Sequence, residues 1–197
     1  MSATQKRRMR GPERRAQLLD VARLAFGRSG FHGVSMEEVA REAGVTKPIL
    51  YDHFDSKEAL YLALIEADAL ELEERVRNAL RAPTGNRERI RAAYQAYFDF
   101  VDEHAEGFSL FLREAVNPVQ LSSRVAHVRE RILSEVAGLL VRGSGGSITD
   151  EDAATVAVGL VAMVEAGAQR APGGDREERR GQVDALVRLA WRGITGL

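Results

Sequence analysis

The stretch VSMEEVAREAGVTKPILYDHFDSK, Val34 to Lys57, decides the fold of this 197-residue chain. Ser35 lies three residues before Glu38, the spacing of a capping box, in which a hydroxyl and a carboxylate each satisfy one unpaired amide at a helix start. Val34 and Val39 occupy the two positions of the hydrophobic staple around that box. A helix therefore starts near Met36. Gly44 supplies the backbone freedom that ends it, and Thr46 is placed to cap a second helix. Pro48 fits the first turn of that helix, where a nitrogen needs no helical partner. The pattern is helix, glycine turn, helix, and the second helix is the candidate for a DNA major groove.

Turning that second helix at about 100° per residue puts Leu50 and Phe54 on one apolar stripe, which must face a core. Pro48, Ile49 and Asp52 fall on the opposite face, with Tyr51 and His53 on its flanks. A groove has a phosphate backbone on each side, and a phenol and an imidazole each hydrogen-bond phosphate oxygens. Lys57, in the first turn of the next helix, adds a positive charge beside free backbone amides. The alternative, that Tyr51 and His53 are ordinary half-exposed residues, fits either one alone; the caps, turn, face division and flank spacing together favour the groove. Asp52, an acid in the middle of that face, is expected to accept a hydrogen bond from the cytosine amine. Its alternatives are an exposed charge or a partner for Lys47 or Arg41.

Extended to Leu60, the segment closely resembles the DNA-binding signature of the tetracycline-repressor (TetR) family of transcriptional regulators. Gly44-Val45, Leu50-Tyr51, His53-Phe54 and Lys57-Glu58 carry the resemblance, over a small part of the chain. It implies that Thr46, Lys47, Tyr51, His53 and Lys57 contact phosphates or groove edges and that Pro48 touches bases; Ser35 is counted with this set. Ile49 departs from members that carry a phosphate-binding hydroxyl there, and is assigned instead to a thymine methyl. The resemblance further implies a repressor, with activation as the alternative, and a small effector that enters among the C-terminal helices and shifts the spacing of two DNA-binding modules.

Composition bounds the rest. There is no cysteine, so disulfides, thiolate metal sites and cysteine nucleophiles are excluded. The basic start has no apolar run behind it, and the longest mainly apolar stretch, residues 153–164, is too short to span a bilayer, so a soluble, cytoplasmic protein with no membrane partner is expected. Charge is asymmetric: residues 1–57 carry a net +4 and residues 58–197 a net −5. Lys6, Arg7, Arg8, Arg10, Arg14 and Arg15 gather at the start, as an arm along the DNA backbone or in a minor groove, or as a solvated tail. His32, His53, His104 and His127 are scattered without metal-ligand spacing. No nucleophile grouping is present, and GSGGS (residues 143–147) lacks the Lys-Ser/Thr of a phosphate loop and reads as a connector. Neither a cofactor nor a metal is expected; the alternatives to a ligand-released regulator are a ligand-independent DNA-binding regulator and, remotely, a small-molecule enzyme.

Periodicity predicts an all-α chain of about nine helices. A three-helix DNA-binding domain with its basic arm occupies residues 1–55, and a helical ligand-binding and dimerisation domain residues 56–197. Leu18, Ala22, Ala25 and Phe26 mark a first helix over about residues 13–29, stopped by Gly30. A long helix follows from about Ser56 to Arg81, with Asp55 and Glu58 as its cap pair. Ile90, Tyr94, Tyr97, Phe98 and Val101 mark a fifth helix, residues 107–116 a short sixth, and Val125, Val128, Ile132, Val136 and Leu139 a seventh. The eighth, about residues 150–170, is apolar nearly all round from Ala153 to Val164 and must be buried on more than one side. The ninth, about residues 176–194, carries Val183, Leu186, Val187, Ala190, Trp191 and Ile194 on one stripe. These last two read as a four-helix homodimer interface, in which Gly159, Ala162, Ala166 and Gly167 permit close approach; intrachain packing is the alternative. Tyr94, Phe98, Phe108, Phe111, Leu112, Met163 and Glu165 are the candidate lining for a largely apolar effector, with Arg113 and Glu114 as further polar candidates. For the apolar members of that set the alternative is plain core. Glu165 has two alternatives to a ligand: an arginine across the dimer, or the edge of burial. The partners expected are operator duplex DNA, a second copy and an unidentified small molecule.

Overall fold

The computed structural model describes residues 11–104, 118–170 and 175–194 and, within them, every side chain except those of 118–125, 169, 170, 176, 193 and 194. Eight helices and no strand occur among these residues: α1 (Gly11–Gly33), α2 (Met36–Glu42), α3 (Lys47–Tyr51), α4 (Lys57–Leu80), α5 (Asn86–Glu103), α6 (Pro118–Gly143), α7 (Asp150–Arg170) and α8 (Arg176–Ile194). The helix expected over residues 107–116, with Phe108, Phe111, Leu112, Arg113 and Glu114, lies outside the described residues, as do Lys6 to Arg10 of the arm. No helix among the described residues is long and apolar enough to cross a membrane.

The chain divides into two compact units, and the boundary falls between Ile65 and Glu66, inside α4. The expected division at residue 55 thus lies ten residues earlier. Leu60, Tyr61 and Leu64 explain the offset, since all three are buried and Tyr61 packs edge-on against Phe26 and Phe31, with ring centroids 5.2 and 5.1 Å away. In this first unit α1 breaks at Gly30, whose φ of 70° and ψ of 171° are not helical. That turn swings Phe31 into the same aromatic cluster.

The second unit is built from the rest of α4 with α5 to α8. Its buried side of α5 comprises Ile90, Ala93, Tyr94, Tyr97, Phe98, Phe100 and Val101, and α5 packs on α7 and α8 while α6 packs on α7. Burial raises the hydroxyl pKa of Tyr94, and of Tyr97 as well. Glu73, also buried, is paired with Arg77 and Arg131. The GSGGS segment is a turn between α6 and α7, with positive φ at Gly145 and Gly146. Thr149 then caps α7 by accepting from the Asp152 amide at 3.1 Å.

One expected cap is corrected. The hydroxyl of Ser56, not the carboxylate of Asp55, accepts from the amide three residues on, Ala59, at 3.1 Å. A serine one position later sits nearer the first helical turn and takes the site.

Candidate nucleic-acid interface

The helix-turn-helix is assembled by short-range bonds. Ser35 Oγ accepts from the Glu38 amide at 3.2 Å, and Val34 and Val39 are both buried, so box and staple close together. At the other end Gly44 adopts φ 65°, the Gly44 amide donates to Arg41 O at 3.2 Å, and the Val45 amide donates to Ala40 O at 3.0 Å. This pair of bonds is the Schellman ending of a helix, which satisfies carbonyls that would otherwise lack partners. Gln17 adds a tie from α1, its amide donating to Ala43 O at 3.3 Å.

Two expectations for α3 are revised. Thr46 stands at the N-cap position with extended backbone, but its side chain makes no capping bond. The helix itself is shorter than expected: Asp52 is its C-cap, and the chain tightens there, with the amides of His53 and Phe54 both donating to Leu50 O at 3.1 and 3.0 Å. His53 and Phe54 therefore follow the helix rather than belong to it. Phe54 still reaches the core beside Leu50, at 3 and 0 % exposure, and Arg15 covers its ring at 5.0 Å.

Everything else on α3 is turned outward. Thr46, Lys47, Pro48, Ile49, Tyr51 and Asp52 are exposed and His53 is half-buried. Ser35 is exposed at the neighbouring end of α2. Lys47 has partners of its own: its ammonium pairs with Glu37 of α2 and lies 5.7 Å from the Tyr51 ring centroid. The hydrogen bond between them holds the Glu37 carboxyl below its ordinary pKa and lifts that of Lys47. Lys47 is thus joined to Glu37, not to Asp52. Lys57 is likewise engaged, donating to Phe31 O at 2.9 Å and Val34 O at 3.0 Å, with the Phe31 ring centroid 4.4 Å away. A lysine so placed pins the end of α1 and the start of α2 to the start of α4. No local sequence pattern announces either the Glu37 or the carbonyl contacts.

In the second unit the expected effector residues are mostly occupied. Tyr94 is buried and its hydroxyl donates to Leu160 O at 3.0 Å; Phe98 is fully buried. Met163 is half-buried. Glu165 receives both Nε and Nη2 of Arg129, at 3.1 and 3.3 Å, so its partner is an arginine of its own chain. The sequence reading missed Arg179, which is 3 % exposed, paired with Asp102 and 5.7 Å from the Phe98 ring centroid. Its Nε and Nη1, with Oε1 of Gln182 one turn on, are buried without a hydrogen-bond partner. A cleft of about 320 Å³ also runs between α5 and α8, lined by Glu88, Arg91, Ala92, Gln95, Arg180 and Asp184, and contains none of the expected apolar residues.

The expected dimer stripe also divides. Val183, Val187 and Ala190 are buried within the chain, at 1, 1 and 6 % exposure, so they face this subunit's own core. Gly167 does the same, since a Cβ there would meet Leu186 Cδ1 at 2.9 Å and Phe98 Cζ at 3.3 Å. Leu186 and Trp191 are half-buried. On α7 the buried stripe is Ala153, Ala157, Leu160, Val161, Val164 and Ala168. Gly159, Ala162 and Ala166 lie exposed on its other face, with Val158 at 46 % and Leu189 of α8 at 62 %.

Comparison with known proteins agrees with this architecture. The family model "Bacterial regulatory proteins, tetR family" matches residues 18–64, and the model "Tetracyclin repressor-like, C-terminal domain" matches residues 86–193. The HTH-type transcriptional activator FasR of Mycolicibacterium smegmatis is 39 % identical over 185 residues, covering 93 % of this chain and 84 % of FasR. A TetR-like transcriptional regulator of Rhodococcus sp. RHA1 superposes with a TM-score of 0.75 at 32 % identity, covering 96 % of this chain and 100 % of that one. The regulator FadR of Bacillus subtilis, solved in complex with stearoyl-CoA, superposes with a TM-score of 0.72 at 16 % identity, covering 89 % of this chain and 96 % of FadR.

Proposed function

Because this chain belongs to the TetR family of DNA-binding transcriptional regulators, we propose that it acts as a homodimer on a near-palindromic operator and leaves it on binding an acyl thioester of coenzyme A. The observation that carries the reading is the division of α3, where only Leu50 is buried and all four other residues are exposed beside a Schellman turn. Apart from the contacts of Lys47 with Glu37 and the Tyr51 ring, that outer face is left to solvent within its own subunit. One helix of this length meets few base pairs, so useful specificity needs a second copy across a twofold axis. The exposed Val158 of α7 and Leu189 of α8 support that pairing, because apolar side chains left in contact with water gain by association.

The roles on the DNA follow from what each side chain offers. Tyr51 and His53 donate to phosphates, Thr46 keeps an unused hydroxyl for the same purpose, and Pro48, Ile49 and Asp52 face base edges. Lys47 reaches phosphate by exchanging Glu37 for it. Lys57 contributes its charge while its bonds hold the module together.

The effector class is supported by the stearoyl-CoA bound to FadR and by the apolar interior of α5, with the unpaired nitrogens of Arg179 as a polar anchor. A ligand acts only through different affinity for the DNA-bound and free conformations. The test is selection of operators from a random duplex pool, repeated with stearoyl-CoA present. Loss of the selected duplex in the thioester, but not with free coenzyme A, is expected; indifference to acyl-CoA of every chain length overturns the effector, and failure to enrich any duplex overturns the reading entirely. Activation by the bound dimer is a second reading, favoured by the name of the FasR relative.

A further inference from the structure

His104, at the end of α5, is 7 % exposed. Its Nδ1 lies 2.9 Å from Phe100 O, and a carbonyl only accepts, so Nδ1 donates there and Nε2 is the ring atom left for another partner. Nε2 faces acids. Glu71 Oε2 is the nearest, at 3.7 Å, beyond hydrogen-bond range, and Asp68, one turn earlier on α4, completes a set whose three ligand atoms all lie within 4.8 Å of one another. The other oxygen of Glu71 is held by Arg75, which also bonds Glu103, and the His104 ring is stacked on Phe100 with centroids 4.1 Å apart. Glu71 and His104 are therefore each held by a second contact.

We propose that Asp68, Glu71 and His104 bind a divalent transition-metal ion of the zinc type. One borderline nitrogen with two carboxylate oxygens suits zinc, cobalt or nickel, whereas calcium and magnesium prefer all-oxygen shells. Donors around a tetrahedral ion with bonds of about 2.0–2.2 Å lie roughly 3.3–3.6 Å apart, a contraction that small side-chain rotations of Asp68 and Glu71 supply. The Nδ1–H bond to a main-chain carbonyl is the outer contact that orients metal-bound histidines. Water fills the remaining position. The ion would clip α4 to the end of α5, thirty-odd residues apart in the chain, which is why no local spacing betrays it.

The test uses the full chain, stripped of metal and titrated with Zn²⁺ against a chromophoric chelator, and with Co²⁺ by visible absorption. One equivalent is expected to bind, with Co²⁺ giving the d–d bands of a low-coordinate site. His104→Ala and the shape-preserving Glu71→Gln should each weaken binding by about tenfold or more, and circular dichroism confirms that the variants fold. His127→Ala, a change at an exposed histidine, should leave the titration unaltered. Absence of a stoichiometric ion, or equal affinity in Glu71→Gln and the parent, overturns the site, as does loss of binding in His127→Ala.

Discussion

At the residue scale, the contact between Glu37 and Lys47 has the most direct bearing on DNA binding. An ion pair in water contributes little to stability, yet it occupies the ammonium best placed for a phosphate. Glu37→Gln is expected to raise operator affinity about threefold at low salt and to steepen its salt dependence, by freeing one more cation for counterion release; fluorescence anisotropy at several salt concentrations measures both. The sign with pH follows from the lowered carboxyl pKa of Glu37. The pair is intact above the ordinary carboxylate range and is lost as pH falls through the lowered value, so the difference between Glu37→Gln and the parent should shrink in acid. Lys57 behaves differently. Its two carbonyl bonds are charge-assisted, worth about 1.5–3 kcal/mol each to hold, so Lys57→Met should lower the unfolding temperature by several degrees, read by calorimetry.

At the element scale, the turn between α2 and α3 depends on one left-handed residue. Gly44 has open space where a Cβ would go, so Gly44→Ala meets only backbone strain, about 1–2 kcal/mol. Ser35→Ala removes one cap bond and should cost about 1 kcal/mol. Equilibrium urea unfolding of the two single variants and the double should give additive losses, because the sites share no partner. These features were legible in the sequence because each is a pattern of neighbours: Ser35 with Glu38, Val34 with Val39, Gly44 after a helix. The length of α3 was not, since the tightening at Leu50 is a competition between three- and four-residue bonds that residue types do not decide. Nor was the direction of Val183, Val187 and Ala190, for a helical stripe reveals that it is buried but not against which chain. Contacts such as Lys57 with Phe31 O or Arg129 with Glu165 join residues far apart in the chain, and no periodicity encodes them.

At the scale of the whole molecule, association and DNA binding should fail together. Val158→Asp paired with Leu189→Arg places charges on the uncovered face of α7 and α8 without touching the buried stripe. Sedimentation is expected to show dimers of the parent and monomers of the double variant, and operator affinity should fall at least a hundredfold while the melting of each subunit's helices persists. A dimer that survives both changes would move the interface elsewhere. The placement of the unit boundary within α4 also constrains anyone wishing to graft this reading head onto a foreign sensor. A splice at residue 55 would discard Tyr61 and leave Phe26 and Phe31 bare to solvent, so the transplanted piece must run through Ile65 and be joined in mid-helix, where no loop absorbs a mistake in register.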